Sequence, residues 1–225
     1  MNTFYQIIRA ALKLLLRRGV HSSYSQSGED IVVRSLFRGK KNGIYVDVGA
    51  YHPILYSNTY GLYRHGWRGF VIDPNEAFRP LYRIFRYRDT FIHSGVAEAS
   101  SSLVYFQFED GAYNTFDAKV AEEYQRDGRS ILLGKSIVQV EPLSAICSAY
   151  RVTEIDFLNI DVEGFDIAVL QSHDWSIRPR VISVEDAKFN PDDPNASRIY
   201  VFLHEKKYRL VGLTKLNLIF ERIDK

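Results

Sequence analysis

"IYVDVGAYHP", residues 44–53, is a short apolar run that reaches an aspartate and then a glycine. Its β-branched and aromatic residues favour a buried strand, and the Asp47–Gly49 exit favours a turn at the strand's carboxyl end. The same pattern recurs downstream. "RGFVID" (68–73) ends at Asp73, "IDFLNID" (155–161) at Asp161, and "RVISVED" (180–186) at Glu185 and Asp186. "TFIHSGV" (90–96) reads as a further strand.

Helical patterns separate these runs. Ser27 is placed to cap a helix with Glu29 and Asp30 in its first turn and an end at Gly39. Further helices are expected over 57–65, 75–87, 142–150, 164–172 and 196–206. Strands alternating with helices predict βαβ units and a parallel sheet covered on both faces. The last two runs, "YRLVGLT" (208–214) and "LNLIFERI" (216–223), are joined by so short a turn that they must pair antiparallel. The expected fold is therefore α/β and Rossmann-like: a mostly parallel sheet with helices on both faces and an antiparallel C-terminal hairpin. An insert at 98–140 interrupts it, with strands at 102–108 and 136–141 around a polar stretch read as irregular.

Length and composition set bounds. A chain of 225 residues fits one large domain with appendages, here 24–225. A net charge of +2 gives no bulk electrostatic case for nucleic acid, and none is expected as a partner. Cys147 is the only cysteine, in the apolar stretch "LSAICSAY", where a buried, inert thiol and a reducing, cytoplasmic compartment are the simplest reading. Residues 1–23 stand apart. At helical spacing Phe4, Ile7, Ile8, Ala11, Leu12 and Leu15 share one side, with Arg9, Lys13 and Arg17 opposite. Such a basic amphipathic helix packs on its own domain, on a partner subunit of a homo-oligomer, or peripherally on an anionic inner membrane face through residues 4–18.

The acids at the strand ends are the candidate site. In an open α/β sheet, ligands sit beyond the carboxyl ends of the strands where strand order reverses. Gly49 would let the backbone approach closely, and Asp47 would accept a hydrogen bond or orient the loop. Asp73 is placed to accept from ribose hydroxyls. Asp161 and Glu163, with Glu185 on the next strand, could position a hydroxyl, act as a base, or hold a divalent cation such as Mg2+. Asp166 and Asp186 could equally serve helix turns. A nicotinamide-dependent oxidoreductase on the same sheet lacks support, because Tyr51, His52 and Pro53 stand where its glycine-rich phosphate turn would continue. A catalytically silent binding module remains the other alternative.

"SQSGED" (25–30), "YVDVGAYHP" (45–53), "SNT" (57–59), "GWRGFVIDP" (66–74), "IDFLNIDVEGFDIAVLQSHDW" (155–175) and "VISVED" (181–186) together resemble the FkbM family of S-adenosylmethionine-dependent methyltransferases. The resemblance covers roughly residues 24–187. It implies the class I methyltransferase fold, with seven strands and an antiparallel last strand, and O-methyl transfer to a small-molecule or glycan acceptor. Tyr51, His52 and Pro53 come close to the His-His-Pro that many members carry, and Asp73 stands where many carry glutamate.

By this resemblance S-adenosylmethionine would lie against Asp47, Gly49 and Ala50 at its methionine end, with Ser57, Asn58 and Thr59 nearby. Asp73 would hold the ribose, Gly95, Val96 and Ala97 would flank the adenine, and Gln26, Glu29 and Asp30 would close the site. Asp161 would also touch the cofactor and orient or deprotonate the acceptor hydroxyl, assisted by Glu163 and Glu185. His52 is a rival base because its ordinary pKa suits the task. Aromatic residues of the insert, including Tyr105, Phe116 and Tyr124, would form a substrate lid or a local core.

Overall fold

The computed structural model describes residues 22–223. The amphipathic segment read at 4–18 lies outside them. The strands are β1 (Ile44–Val48), β2 (Arg68–Ile72), β3 (Thr90–Ile92), β4 (Gly95–Val96), β5 (Ser101–Phe108), β6 (Leu132–Glu141), β7 (Phe157–Ile160), β8 (Val181–Glu185), β9 (Tyr208–Leu213) and β10 (Asn217–Arg222). The helices are α1 (Glu29–Leu36), α2 (Tyr60–Tyr63), α3 (Arg79–Phe85), α4 (Ala118–Arg126), α5 (Leu143–Ala149), α6 (Asp166–Ser172) and α7 (Arg198–Glu205).

A seven-stranded sheet in the order β3-β2-β1-β7-β8-β10-β9 forms the centre. The first five strands pair in parallel, and β10 runs antiparallel between β8 and β9. Strand order reverses between β1 and β7, which is where such sheets bind ligands. All four residues of β7 are buried, as expected for a strand covered on both faces. One face packs against Leu143, Ile146, Val169 and Leu203 of α5, α6 and α7, and the other against Val33, Leu62 and Tyr82 of α1, α2 and α3.

The structure differs from the sequence expectations in several places. Residues 90–96 form two strands, because at His93 and Ser94 the chain leaves the main sheet and β4 pairs with β6 instead. The polar stretch 109–130 contains α4, capped by Asp117 accepting from the amides of Lys119 and Val120. Its Ala121 and Tyr124 are buried with Phe106 and Phe108 in a small core of the insert's own. Gly28, in a left-handed conformation, takes the position expected of Ser27 at the start of α1. That helix ends at Leu36, before Gly39.

One buried cation holds the first βα turn. Tyr45 and Asp47 alternate with Val46 and Val48 along β1 and so share the face toward Arg86. The Arg86 guanidinium donates to Asp89 Oδ2 (2.6 Å), Tyr45 Oη (2.8 Å), Thr59 Oγ1 (2.9 Å) and Ser57 Oγ (3.2 Å). Thr59 Oγ1 passes the link on by donating to Asp47 Oδ2 at 2.5 Å. Side chains of both Arg86 and Asp89 are fully buried. Burial acts to lower the Arg86 pKa, but Tyr45, Tyr82, Asp89 and Asp47 outweigh it and hold the group above its ordinary value.

Removing one member of a buried pair strands the other charge, at a cost of about 3–5 kcal/mol. Arg86→Ala should therefore lower the unfolding free energy measured by urea titration by that much, whereas Arg83→Ala on the exposed side of α3 should change it by no more than ~0.5 kcal/mol. Equal, small losses from both substitutions would contradict the role given to Arg86.

Candidate active site

Carboxyl ends of β1, β2, β7 and β8 meet the insert around a cavity with about 850 Å3 of empty space, its mouth included. Gly49 sits at φ 77°, where a Cβ would lie 1.8 Å from the Asp161 carbonyl oxygen. Glycine there lets the β1 turn close against the β7 turn, so both reach the cavity.

Asp73 stands at one end. Its Oδ2 accepts from the Tyr51 amide (2.8 Å) and its Oδ1 from the Asn75 amide (2.7 Å). Each oxygen keeps a lone pair for a ligand hydroxyl. Burial pushes its pKa up to about 6, against the pull of those two amides.

At the other end, ligand oxygens of Asp161, Glu163 and Glu185 lie within 4.8 Å of one another. Removal from water drives all three pKa values up. For Asp161 the charges of Glu185 and Glu163 add to the effect. Glu185 rises to about 9, with Glu163 and Asp166 contributing after burial. Glu163 also rises, opposed by the Tyr124 hydroxyl that donates to its Oε2. Three backbones at this cavity take unusual conformations: Tyr51, Tyr56 and Glu163 have φ of 48°, 57° and 49°. Such strain concentrates where a structure holds groups ready for use.

Of the residues singled out from sequence, Gln26, Gly49, Tyr51, Asp73, Gly95, Val96, Asp161, Glu163 and Glu185, with Tyr105 and Phe116 of the insert, line this cavity. The remaining candidates stand behind it. Both Asp47 oxygens are engaged, by Thr59 Oγ1 and by Asn159 Nδ2 at 2.9 Å. Burial raises its pKa while Arg86, Thr59 and Asn159 oppose the rise. Asn58 donates to Asn159 Oδ1 (3.0 Å), and Ser57 Oγ accepts from the Tyr60 amide (3.0 Å). Asp30 accepts from Ser23 Oγ (2.6 Å) and Ser25 Oγ (3.0 Å), so it fastens the segment that carries Gln26. Glu29 anchors the same segment to Thr214 (2.7 Å).

His52 Nδ1 accepts from the amides of Ile54 (3.1 Å) and Leu55 (3.0 Å), and burial lowers its pKa. It is a neutral turn former away from the cavity wall. The Ala50 carbonyl accepts from Tyr82 Oη (2.9 Å), and Ala97 donates its amide to Glu141 (3.2 Å). Asp166 accepts from the amides of Val162 and Gly164, and burial lifts its pKa to about 7. Asp186 accepts from Ser197 Oγ at 2.6 Å. Cys147 is buried, and burial pushes its thiol up to about 11, as an inert cysteine requires.

From the insert, Tyr105, Asn114, Thr115 and Phe116 form one cavity wall, whereas Phe106, Phe108 and Tyr124 fill the insert's own core. The model of the methyltransferase FkbM domain matches residues 47–210.

The chain belongs to the FkbM methyltransferase family. Comparison with curated proteins gives no match. Membership makes the protein a methyltransferase and implies S-adenosylmethionine as the methyl donor. The residues present fit a cationic ligand of that kind. Among the described residues lining the cavity none is Lys, Arg or His, whereas Asp73, Asp161, Glu163 and Glu185 all do. A sulfonium is favoured by such a lining, and a pyrophosphate is disfavoured.

Sequence reasoning missed Arg86 and Asn159, and it read Tyr124 as lid or local core without its hydrogen bond to Glu163. Arg86 has the same local surroundings as the exposed Arg83, and Asn159 hides inside an apolar strand. Only their contacts across the fold set them apart.

The raised carboxylates have a consequence for stability. Between the ordinary carboxylate range and about 9, the folded protein keeps on Glu185 a proton that the unfolded chain has lost. Stability without ligand therefore falls as pH rises through that interval. Thermal melts should show a falling Tm from about pH 5 to pH 9, and Glu185→Gln should flatten the fall and raise the Tm at the alkaline end. An unchanged slope in the variant would show that Glu185 is not the group responsible.

Proposed function

We propose that the protein methylates a hydroxyl of a sugar, glycan or glycosylated natural product. The observation that carries this reading is the convergence of Asp161, Glu163 and Glu185 at the cavity end opposite Asp73. S-adenosylmethionine, when bound, supplies an electrophilic methyl group on a positively charged sulfur. Asp73 offers its free lone pairs to the ribose hydroxyls, Gly95 and Val96 flank the adenine, and Gly49 and Gln26 border the methionine end. Asp47, Ser57, Asn58 and Thr59 serve at one remove by holding the β1 turn.

Asp161 orients the acceptor hydroxyl and takes its proton as the new C–O bond forms and the methyl group's bond to sulfur breaks, the electron pair staying on a neutral thioether. The three carboxylates cannot all be charged cheaply at this spacing, so they share protons at neutral pH. A positive charge beside them lowers their pKa values and leaves one ionised to act as base. Positioning and proton removal together are the chain's contribution to the rate. The same oxygens are the set that a divalent cation such as Mg2+ would use. Chelator-resistant turnover would assign them to proton transfer alone.

No helix among the described residues is long and apolar enough to cross a membrane. In this reading the protein works in the cytoplasm, and residues 4–18 rest on an anionic inner membrane face that presents lipid-linked acceptors. Flotation with anionic liposomes, compared with a chain lacking those residues, tests that placement.

Calorimetry and single-turnover assays separate the roles. Asp73→Asn should weaken S-adenosylmethionine binding about 10- to 100-fold, the loss expected for a hydrogen bond to a charged group. Asp161→Asn should keep binding within a few-fold but lower turnover ~100-fold or more. Full turnover in Asp161→Asn would remove that residue from the chemistry. Binding of NAD in place of S-adenosylmethionine, or of neither, would overturn the reading.

A further inference from the structure

A second cleft opens on the far side of the carboxylates, between α4 and the connection from β8 to α7. Glu163 and Glu185 line both this cleft and the main cavity, so the two spaces meet at the reacting groups. Their linings differ in basic groups. Where the main cavity has no basic side chain among the described residues, the outer cleft has Arg129, Lys188 and Arg198.

We propose that the acceptor is an anionic sugar that enters through this cleft, its hydroxyl passing Glu163 and Glu185 to reach Asp161 and its phosphate or carboxylate on Arg129, Lys188 and Arg198. The inference rests on the methyl-transfer reading of the same carboxylates. Several observations support it. Arg129 lies over the Tyr124 ring, 5.3 Å from its centroid, and Tyr124 donates to Glu163, so cation and carboxylate are joined through one aromatic side chain. The guanidinium keeps a contact with Asp127 at 3.8 Å, too long for a hydrogen bond.

Lys188 and Arg198 are exposed and make no ion pair among the described residues. Two further acids of the cleft are hydrogen-bonded within the fold: Asp186 accepts from Ser197, and Asp166 from two backbone amides. Glu123 on exposed α4 is the remaining acid on the cleft wall. Arg129, Lys188 and Arg198 thus offer cations within the cleft that Glu163 and Glu185 also line, so that positive and negative groups stand side by side there. A neutral sugar gains nothing from those cations. An anionic one is steered toward them, and its charge is met by charge-assisted hydrogen bonds.

The test uses the full chain loaded with S-adenosylhomocysteine and three probes: glucose 1-phosphate, glucuronate and neutral methyl glucoside. Calorimetry at low salt should find an anionic probe bound at least about tenfold more tightly than the neutral one, with the advantage lost at high salt. The variant R129A/K188A/R198A should lose that advantage while keeping its affinity for S-adenosylhomocysteine and its Tm. Preference for glucose 1-phosphate assigns a phosphate, and preference for glucuronate assigns a carboxylate. Equal binding of all three probes, no binding of any, or an advantage that survives in the triple variant would overturn the proposal. Failure of S-adenosylhomocysteine to bind the unaltered chain, with the anionic preference intact, would instead overturn the methyl-transfer reading and leave the cleft standing.

Discussion

Mutual repulsion among Asp161, Glu163 and Glu185 is the constraint on which the site depends. Their oxygens come within 4.8 Å of one another, and no basic side chain among the described residues shares their cavity. A fold can tolerate this only by keeping protons on the cluster or by admitting a positive charge. The backbone reflects the same demand. Glu163 is held at φ 49°, secured by Thr115 donating to its carbonyl (2.8 Å) and by the Tyr124 hydroxyl on its carboxylate. The insert therefore both walls the cavity and fixes one of its acids.

Charge of the opposite sign is spent elsewhere in the fold. Arg86 lies buried beneath the β1 turn, where Tyr45, Asp89, Ser57 and Thr59 surround it. Alternation along β1 sends Asp47 into that network, and Gly49 then presents backbone to the cavity. The β1 turn thus has a structural polar core on one side and the acid-lined cavity on the other, and the cavity lining has no basic side chain among the described residues.

Much of this was legible in the sequence, for a physical reason. Buried parallel strands need apolar, β-branched runs, and Asp73, Asp161 and Glu185 end such runs, so their place at the sheet's carboxyl edge follows from local pattern. The β9–β10 pairing followed from the length of its turn. What local pattern does not encode is which polar groups tertiary closure buries. Asp47 looked like a ligand contact, and it is Thr59 and Asn159 that take its oxygens. The "SNT" residues fold back onto Arg86 and Asn159, and α4 hides in a polar stretch because only Val120, Ala121 and Tyr124 face its small core. The outer cleft, too, joins residues from 120 to 199 that no spacing rule connects.

The central claim is that protonated carboxylates await a positive charge at sulfur. Calorimetry near neutral pH in buffers of different ionisation enthalpy tests it most directly, with S-adenosylmethionine set against S-adenosylhomocysteine, which lacks that charge. The account predicts that the sulfonium compound releases more protons on binding and that its advantage over the neutral thioether grows with pH. Equal proton release for both compounds, with a pH-independent affinity ratio, would contradict it.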